Sequence, residues 1–426
     1  MHGAKHDGSA RTIPTTLSSQ GSGLDQRGPC GTTTEGNHIL TTKSCDLKGS
    51  QKIFRLHLND AASCCRSYFE KLDETKTIDH YIDHWQQEKV LLDQGQEIPS
   101  CEVCWKNEHA GLSSYRQQRQ GKSHAGHPNK PPRADQIFNG LEILTSDLCN
   151  QMCSYCNPKY SSEWRNSITK DGIFTNVSTT TKNNQTLDRN NSFNQTYWLA
   201  EIQRYISNQP DNSIELKLLG GEPLMQIDGL KQLLELNSSK IDFLAIHTNL
   251  NPPTQKFLRW ILENFPKEKL LFDISIDSTP EYNHVPRSGF DQDRFLNNLS
   301  LLKEHDVSFK FTPVISILSI FDVVNFCSMI DKNGYSAVFS QVNNPDCLNP
   351  IHLPWEFKTR ILNTHVPLPN LVKEILTTHT KSVDLKLFEQ YNYLKQYFAR
   401  TEIDPACTPN ALFNEYWTWL SNQGFL

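Results

Sequence analysis

Three cysteines spaced CxxxCxxC constrain this chain more than any other feature of its sequence: Cys149, Cys153 and Cys156. A [4Fe–4S] cube normally takes four cysteine thiolates, one for each iron. Three cysteines in one short loop would hold three irons and leave the fourth iron open to a small ligand. The loop follows the apolar stretch 141–144, which predicts a strand ending where parallel α/β barrels place their chemistry. The spacing therefore indicates a catalytic metal site with these three cysteines as ligands.

Residues Gly220, Gly221, Glu222 and Pro223 form a second motif, directly after the strand-like run 214–219. Paired glycines let the backbone come close to a ligand, and the glutamate carboxylate can accept a hydrogen bond from an ammonium group. The cysteine loop lies upstream of this strand end by an interval long enough for a helix. With these two motifs in this order, the chain resembles the radical SAM (S-adenosylmethionine) superfamily. In that family the cysteine loop binds a [4Fe–4S] cluster, and the Gly-Gly-Glu-Pro strand end binds the amino group of S-adenosylmethionine.

The resemblance implies an α/β fold with a partial (β/α)6 TIM-like barrel, and it implies an enzyme. Its cofactors would be a [4Fe–4S] cluster with one open iron and S-adenosylmethionine, and its partner an external one-electron reductant of the flavodoxin or ferredoxin type. The family's reaction yields methionine and a 5′-deoxyadenosyl radical, which removes a hydrogen atom from an unactivated carbon. Arg287 would reach the cofactor carboxylate, with a surface arginine as the alternative. The cofactor contacts implied are Tyr155, Gly220, Gly221, Glu222, Pro223, Asn249, Ser275 and Arg287.

Five further cysteines lie in the segment 44–135, ahead of the core. A CxxC pair with two partners upstream can close a four-thiolate site, and cysteine count alone does not separate zinc from a second iron–sulfur cluster. The segment resembles the cysteine-rich part of twitch-domain radical SAM proteins, which implies an auxiliary [4Fe–4S] cluster and a cap over the barrel rim. Cys65 is the alternative to Cys64, because adjacent residues of a strand face opposite ways. The ligands implied are Cys45, Cys64, Cys101 and Cys104.

Alternating apolar runs predict a parallel sheet with crossover helices in the middle of the chain. We expect four regions: a disordered tail at 1–43, the cysteine-rich segment at 44–135, the radical SAM core at 136–345 and a helical region at 346–426. The predicted core strands are 141–146, 214–219, 243–248, 270–276, 308–315 and 337–341. An insertion rich in Asn and Thr at 173–196 is expected to be a mobile surface loop.

Composition favours a soluble, cytoplasmic protein. No apolar segment opens the chain or is long enough to cross a membrane, so we expect reduced cysteines and no membrane partner. The net charge of −5 gives no broad basic field, so nucleic acid is not expected as a partner. A structural zinc ion prefers four protein ligands, which disfavours zinc for the loop of three cysteines.

The sequence leaves the substrate open. Twitch and SPASM relatives mostly act on peptides or proteins, so the resemblance favours a peptide or protein substrate. Modification of a nucleotide, a sugar or another small metabolite is the enzymatic alternative. A catalytically silent iron–sulfur or zinc protein, acting as a scaffold or an electron carrier, is the non-enzymatic alternative. The intact Gly-Gly-Glu-Pro strand end argues against the last, because a carrier needs no cofactor pocket.

Overall fold

The computed structural model of the protein describes residues 45, 47–48, 50–119, 139–186, 195–380 and 384–425, and the tail predicted at 1–43 lies outside them. Within these residues the strands are β1 (Gln51–Arg55), β2 (Asp60–Ala62), β3 (Glu70–Lys71), β4 (Gly140–Leu144), β5 (Met152–Cys153), β6 (Ile214–Leu219), β7 (Ile241–Thr248), β8 (Leu270–Ile274), β9 (Arg287–Ser288), β10 (Ser308–Phe311), β11 (Val314–Ile315) and β12 (Ser340–Gln341).

The α-helices of the same residues are α1 (Ile78–Asp93), α2 (Glu102–His109), α3 (Tyr115–Arg119), α4 (Ser162–Asp171), α5 (Thr179–Asn184), α6 (Gln195–Ser207), α7 (Ile227–Asn237), α8 (Lys256–Asn264), α9 (Gln292–Glu304), α10 (Val323–Asn333), α11 (Trp355–Leu362), α12 (Asn370–Thr377), α13 (Asp384–Thr401) and α14 (Ala411–Ser421). None of the helices in the described part of the chain has both the length and the apolar character needed to cross a membrane.

Eight strands form one sheet in the order β10–β8–β7–β6–β4–β1–β2–β3. Pairing is parallel from β10 to β1, and β2 and β3 add in antiparallel fashion. Parallel neighbours need crossover connections, which α6, α7, α8 and α9 supply within the core. The predicted α/β class with a largely parallel sheet is confirmed. The sheet also crosses the predicted boundary near residue 135, because β1 of the cysteine-rich segment pairs with β4 of the core.

The predicted strands agree closely with the observed ones except at the end of the core. β6 has the predicted bounds, and β4, β7 and β8 start or end within two residues of them. The run 308–315 divides into β10 and β11 around Pro313, whose nitrogen carries no hydrogen to donate to a ladder. Only Ser340–Gln341 remains of the run 337–341, and it pairs with β11 in a separate two-stranded sheet.

Helices cover one face of the main sheet. Leu216 and Leu218 of β6 alternate with polar residues and join one apolar core with helical residues such as Trp198 of α6 and Leu233 of α7. A second apolar core, which includes Trp164 and Tyr393, joins the cysteine loop and α4 to the C-terminal helices. The C-terminal region therefore packs against the same part of the molecule that carries the cysteine motif.

The insertion predicted as a mobile surface loop is folded over its described part, residues 173–186. Phe174 is fully buried, and its ring lies 4.7 Å from the ring of Tyr393 in α13. Thr181 of α5 donates to Glu389 of α13 at 3.1 Å. The prediction was wrong for these residues because a single buried aromatic side chain anchors a stretch whose composition is otherwise polar.

Candidate functional site

The candidate site lies where four neighbouring parallel strands end. β4 leads into the cysteine loop, β6 into Gly220 and Gly221, β7 into Asn249, and β8 into Ser275. Because these strands pair in parallel, their carboxyl ends share one edge of the sheet. The structure therefore brings the predicted residues of four separate strand ends to this edge, which is called the rim below.

The three thiols of the cysteine loop are shielded from solvent. Cys149 and Cys153 are buried, and Cys156 is partly buried. Burial raises the pKa of all three thiols, that of Cys156 to about 12, and repulsion from the Cys153 sulfur adds to the rise at Cys149 and Cys156. Thiolates in this loop therefore need a positive counter-charge, which a bound metal group would supply as it displaces the protons.

Side-chain donors from distant parts of the chain hold the carbonyl groups of the cysteine loop. Trp164 Nε1 donates to the Cys153 carbonyl at 2.8 Å, and Tyr393 OH donates to the Ser154 carbonyl at 2.6 Å. Three further hydroxyl groups donate to carbonyl groups of the loop: Ser161 to Gln151, Ser162 to Cys149, and Tyr397 to Met152. Sequence reasoning missed these residues, because nothing in the sequence links Tyr393 to a loop 239 positions away.

Gly220 and Gly221 pack directly against the backbone that precedes Cys149. A Cβ atom at Gly221 would lie 2.3 Å from the Leu148 carbonyl oxygen, and Gly220 has a φ of +127°. The Gly221 N–H donates to the Ser146 carbonyl at 2.9 Å, and the Glu222 N–H donates to the Leu148 carbonyl at 2.7 Å. The paired glycines predict that the backbone comes close to another group, and here that group is, at least in part, the backbone of the segment leading into the cysteine loop.

The Glu222 carboxylate ties the end of β6 to the end of β7. Its Oε1 accepts from Thr248 Oγ1 at 2.6 Å and from the Leu224 N–H at 3.0 Å, and its Oε2 accepts from the Asn249 N–H at 2.7 Å. Burial raises the pKa of Glu222 to about 7. Each carboxylate oxygen can accept two hydrogen bonds, so Oε2 keeps capacity for one more donor, such as an ammonium group.

Arg287 lies inside the site, so the alternative of a surface arginine is wrong: its relative exposure is 6%. Its guanidinium donates to the Asp277 carboxylate from Nε at 2.8 Å and from Nη2 at 3.0 Å. The same group contacts the Tyr155 hydroxyl from Nη2 at 2.5 Å and the Cys153 sulfur from Nη1 at 3.5 Å. A fixed positive charge therefore lies against one of the three thiols.

Replacing Arg287 by Met is expected to lower the free energy of unfolding by about 3–5 kcal/mol, because it leaves the Asp277 carboxylate buried without its counter-charge. The matched control is Arg360→Met, which breaks the exposed ion pair with Glu415 and should change stability far less. Urea denaturation followed by tryptophan fluorescence measures both variants. Equal losses for the two variants would contradict the special role of the buried pair.

The remaining predicted contacts of the cofactor also lie near the rim. Asn249 Nδ2 is 4.0 Å from the Cys149 sulfur. Ser275 Oγ lies 2.9 Å from His247 Nε2 on the neighbouring strand. Pro223 begins a short 3-10 turn whose first free N–H, that of Leu224, is capped by Glu222. These positions are compatible with contacts to one small ligand at the rim.

The second group of cysteines meets in a cavity of its own, lined by Cys45, Cys64, Cys101 and Cys104. All four are buried, and burial raises the pKa of each thiol. Their apolar cluster includes Leu144 and Leu219, the last residues of β4 and β6, so the group lies beside the rim. Cys65, the alternative to Cys64, is buried as well and belongs to the same apolar cluster.

Among the described residues, no three or more His, Cys, Asp or Glu side chains converge closely enough to hold a single metal ion. The thiolates of a four-iron cube bind separate irons, so they need not converge in the way that ligands of one ion do. Three basic side chains also line the cavity of the second cysteine group: Lys48, Arg66 and Arg116. Two of them are ion-paired with carboxylates, Lys48 with Glu88 and Arg116 with Glu108.

Comparison with known proteins identifies a family for the core. The profile described as the Radical SAM superfamily matches residues 143–329, the part of the chain that holds both motifs of the rim. Members of this superfamily are enzymes. No curated protein sequence matches the chain.

Solved structures show only a distant likeness. The structure of anSMEcpe with bound AdoMet aligns over 61% of this chain and 57% of its own, at 16% identity and a TM-score of 0.35. That of Streptococcus suis SuiB bound to S-adenosylmethionine aligns over 50% of each chain, at 14% identity and a TM-score of 0.30. SuiB bound to the precursor peptide SuiA aligns over 62% of this chain and 47% of its own, at 16% identity and a TM-score of 0.31. Because the match spans less than two thirds of each structure, it assigns no substrate.

Proposed function

From the radical SAM superfamily domain that this enzyme carries at residues 143–329, we propose that it cleaves S-adenosylmethionine reductively and removes a hydrogen atom from a substrate carbon. The observation that carries the proposal is the contact between the two motifs. The Gly221 and Glu222 N–H groups bond to carbonyl groups of the segment that leads into Cys149. The cysteine loop and the Gly-Gly-Glu-Pro strand end therefore form one continuous surface at the rim.

The donor set fits a [4Fe–4S] cluster with one open iron. Cys149, Cys153 and Cys156 offer three shielded thiols on a loop whose carbonyl groups are turned toward other donors, and we propose these three as the ligands. When bound, the cluster would pass one electron from a flavodoxin or ferredoxin type of reductant to S-adenosylmethionine, whose S–C5′ bond breaks to give methionine and the 5′-deoxyadenosyl radical.

The protein's own residues would orient the cofactor and exclude water. Glu222 Oε2 retains a lone pair for the cofactor ammonium, and Gly220 and Gly221 let the end of β6 pack against the backbone that leads into Cys149. Arg287 donates to the Tyr155 hydroxyl, and its positive charge lies beside the Cys153 sulfur. To reach the cofactor carboxylate, the guanidinium would have to bind that carboxylate and its present partners at the same time. Asn249 and Ser275 supply further polar groups at the same rim. Buried groups of this kind keep their geometry during the reaction.

We also propose an auxiliary [4Fe–4S] cluster at Cys45, Cys64, Cys101 and Cys104, in a twitch-like segment. The four thiols line one cavity, together with the side chains of Lys48, Arg66 and Arg116. The substrate proposed from the twitch resemblance is a peptide or protein. An oxygen-sensitive cluster and reduced thiols suit a reducing compartment, so we propose a cytoplasmic location.

The auxiliary site gives a direct prediction. Replacing Cys101 and Cys104 by Ala should lower the iron content from about eight to about four per chain, because each cube holds four irons. Reductive cleavage of S-adenosylmethionine should persist, since Cys149, Cys153 and Cys156 are intact. Iron and sulfide assays after anaerobic purification measure the first effect. A chain with about four irons and one zinc before mutation would instead assign zinc to the second site.

Anaerobic incubation of the reconstituted protein with S-adenosylmethionine and dithionite tests the proposed function. We expect 5′-deoxyadenosine and methionine in equal amounts. Absence of both products from protein with a full iron complement, together with failure to bind S-adenosylmethionine in a titration, would overturn the proposal in favour of an iron–sulfur carrier. Retained binding without cleavage would mean that the substrate gates the reaction, and addition of a peptide library then restores product.

A further inference from the structure

Gln151 lies in the cysteine loop, between two of the proposed iron ligands, and its side chain is buried. Its relative exposure is 1%. The Cys153 thiol donates to Gln151 Oε1 at 3.8 Å, whereas Gln151 Nε2 has no hydrogen-bond partner among the described residues. A buried donor without a partner is unfavourable and needs an explanation, such as a redox role or a bound ion.

The Gln151 amide can present either of its two polar atoms to the Cys153 sulfur. The oxygen and the nitrogen of one amide group are about 2.3 Å apart, as their bonds to the shared carbon require. Because Oε1 is 3.8 Å from the sulfur, Nε2 lies within about 6 Å of it. A half-turn of the amide exchanges the two atoms and leaves the rest of the side chain in place. Gln151 can therefore offer this sulfur an acceptor or a donor without any movement of the backbone.

Iron binding would reverse what the Cys153 sulfur requires of this neighbour. As a thiol, the sulfur donates its hydrogen to Gln151 Oε1. A cysteine sulfur bound to iron has lost that proton to solvent, so it can only accept hydrogen bonds. Oε1 would then face an electron-rich sulfur, and Nε2–H would be the matching partner. One turn of the amide therefore removes a repulsive contact and satisfies the buried donor.

The contacts of the other two loop thiols with the described residues are of a different kind. The Cys156 thiol donates to the Asn157 carbonyl at 3.7 Å, and a backbone carbonyl cannot become a donor. Asn249 Nδ2 lies 4.0 Å from the Cys149 sulfur and already donates to Asn150 Oδ1 at 3.0 Å. Cys153 thus has a neighbour that can exchange an acceptor for a donor, which Cys156 lacks.

Arg287 supplies a donor to the same sulfur. Its Nη1 lies 3.5 Å from Cys153 Sγ. The guanidinium is paired with the buried Asp277 carboxylate, which offsets its charge, so its hydrogen bond is the main effect on the sulfur. Hydrogen bonds to the sulfurs withdraw electron density from an iron–sulfur cluster and raise its reduction potential. A second donor from Gln151 would add to this effect.

We propose that Gln151 turns its amide when Cys153 binds iron and donates Nε2–H to the Cys153 sulfur. This hydrogen bond raises the reduction potential of the cluster at Cys149, Cys153 and Cys156, which is called the core cluster below. The inference rests on the proposed function, and it adds a residue that sets how readily the core cluster accepts its electron. Gln151 acts through Cys153, so it is a positioning residue.

Redox titration of the reconstituted full chain, followed by electron paramagnetic resonance without S-adenosylmethionine, tests the inference. The core-cluster signal is the one that the Ala variant of Cys149, Cys153 and Cys156 lacks. Gln151→Met keeps the size of the side chain and removes the donor. We expect it to lower the ratio of reduced to oxidised core cluster about tenfold at a fixed solution potential, which is about 59 mV for one electron.

A second measurement needs no variant. In protein labelled with heavy nitrogen at the glutamine side chains, the core-cluster signal of the wild type should show a coupling to one labelled nitrogen. Gln151→Met should lack this coupling, and Gln151→Glu, whose ionised carboxylate only accepts, should lack it as well and lower the potential at least as much. Absence of the coupling from the wild type overturns the inference.

Ser161→Ala separates the effect of the amide from damage to the loop. It removes the hydroxyl that donates to the Gln151 carbonyl and leaves the amide side chain in place, so the potential should stay close to that of the wild type. An unchanged potential in folded, iron-loaded Gln151→Met, or an equal shift in Ser161→Ala, contradicts the role of Gln151. A wild-type chain that binds no cluster at the three loop cysteines overturns the proposed function as well, and the iron assay distinguishes the two failures.

Discussion

Replacing Cys149, Cys153 and Cys156 by Ala is expected to abolish 5′-deoxyadenosine formation and to remove about four irons per chain. The three thiols are the groups of the loop that we propose bind iron, and carbonyl groups of the loop already accept hydrogen bonds from Trp164, Tyr393 and other donors. Without the cluster no electron reaches the cofactor, so the loss should be complete rather than partial. Product quantification by chromatography and iron assays on the same sample measure both effects.

A matched control separates this loss from general damage. The combined variant C327A, C347A and C407A removes the same number of free cysteines from elsewhere in the chain. It should keep its iron and its product formation. The Ala variants of the loop should also stay folded, because Trp164 and Tyr393 bond to backbone carbonyls that the substitutions retain. Product formation by the loop variant, or loss of iron from the control, would contradict the assignment.

The local parts of the site could be predicted from the sequence. The paired glycines of the motif Gly220–Pro223 indicate by themselves that the backbone comes close to another group. The strand before them, β6, alternates apolar and polar residues over the predicted span. Parallel pairing carries the strand ends to one edge, where Asn249 and Ser275, which the family resemblance implied, also lie. The sequence thus predicted those residues whose position depends on the residue pattern of one strand or motif and on the common direction of parallel strands.

The parts that depend on long-range packing could not be predicted. The sequence indicated either a contact of Arg287 with the cofactor or a place on the surface, and it did not indicate the buried ion pair with Asp277. Tyr393 donates to the cysteine loop from α13, and no periodicity in that helix distinguishes this tyrosine from one that only fills the core. Phe174 likewise anchors a segment whose Asn and Thr content is typical of loops. In each case one side chain, rather than a repeated pattern, decides the contact.

Replacing Gly221 by Ala is expected to cost about 3 kcal/mol of stability and to reduce cleavage of S-adenosylmethionine about a hundredfold. The new Cβ would lie 2.3 Å from the Leu148 carbonyl oxygen and 2.6 Å from that of Asp147. Both contacts are to backbone, so no side chain can rotate away, and the segment before Cys149 must move. That movement would also lengthen the bond from the Gly221 N–H to the Ser146 carbonyl.

Gly229→Ala is the matched control, because it makes the same substitution where there is room. A Cβ atom at Gly229 in α7 meets only Leu199 Cδ1, at 3.8 Å. Alanine has a higher helix propensity than glycine, so this variant should be about 1 kcal/mol more stable and equally active. Denaturation midpoints and initial rates of 5′-deoxyadenosine formation are compared in one series. If Gly221→Ala kept the activity of Gly229→Ala, the close contact between the two motifs would not be what positions the cofactor.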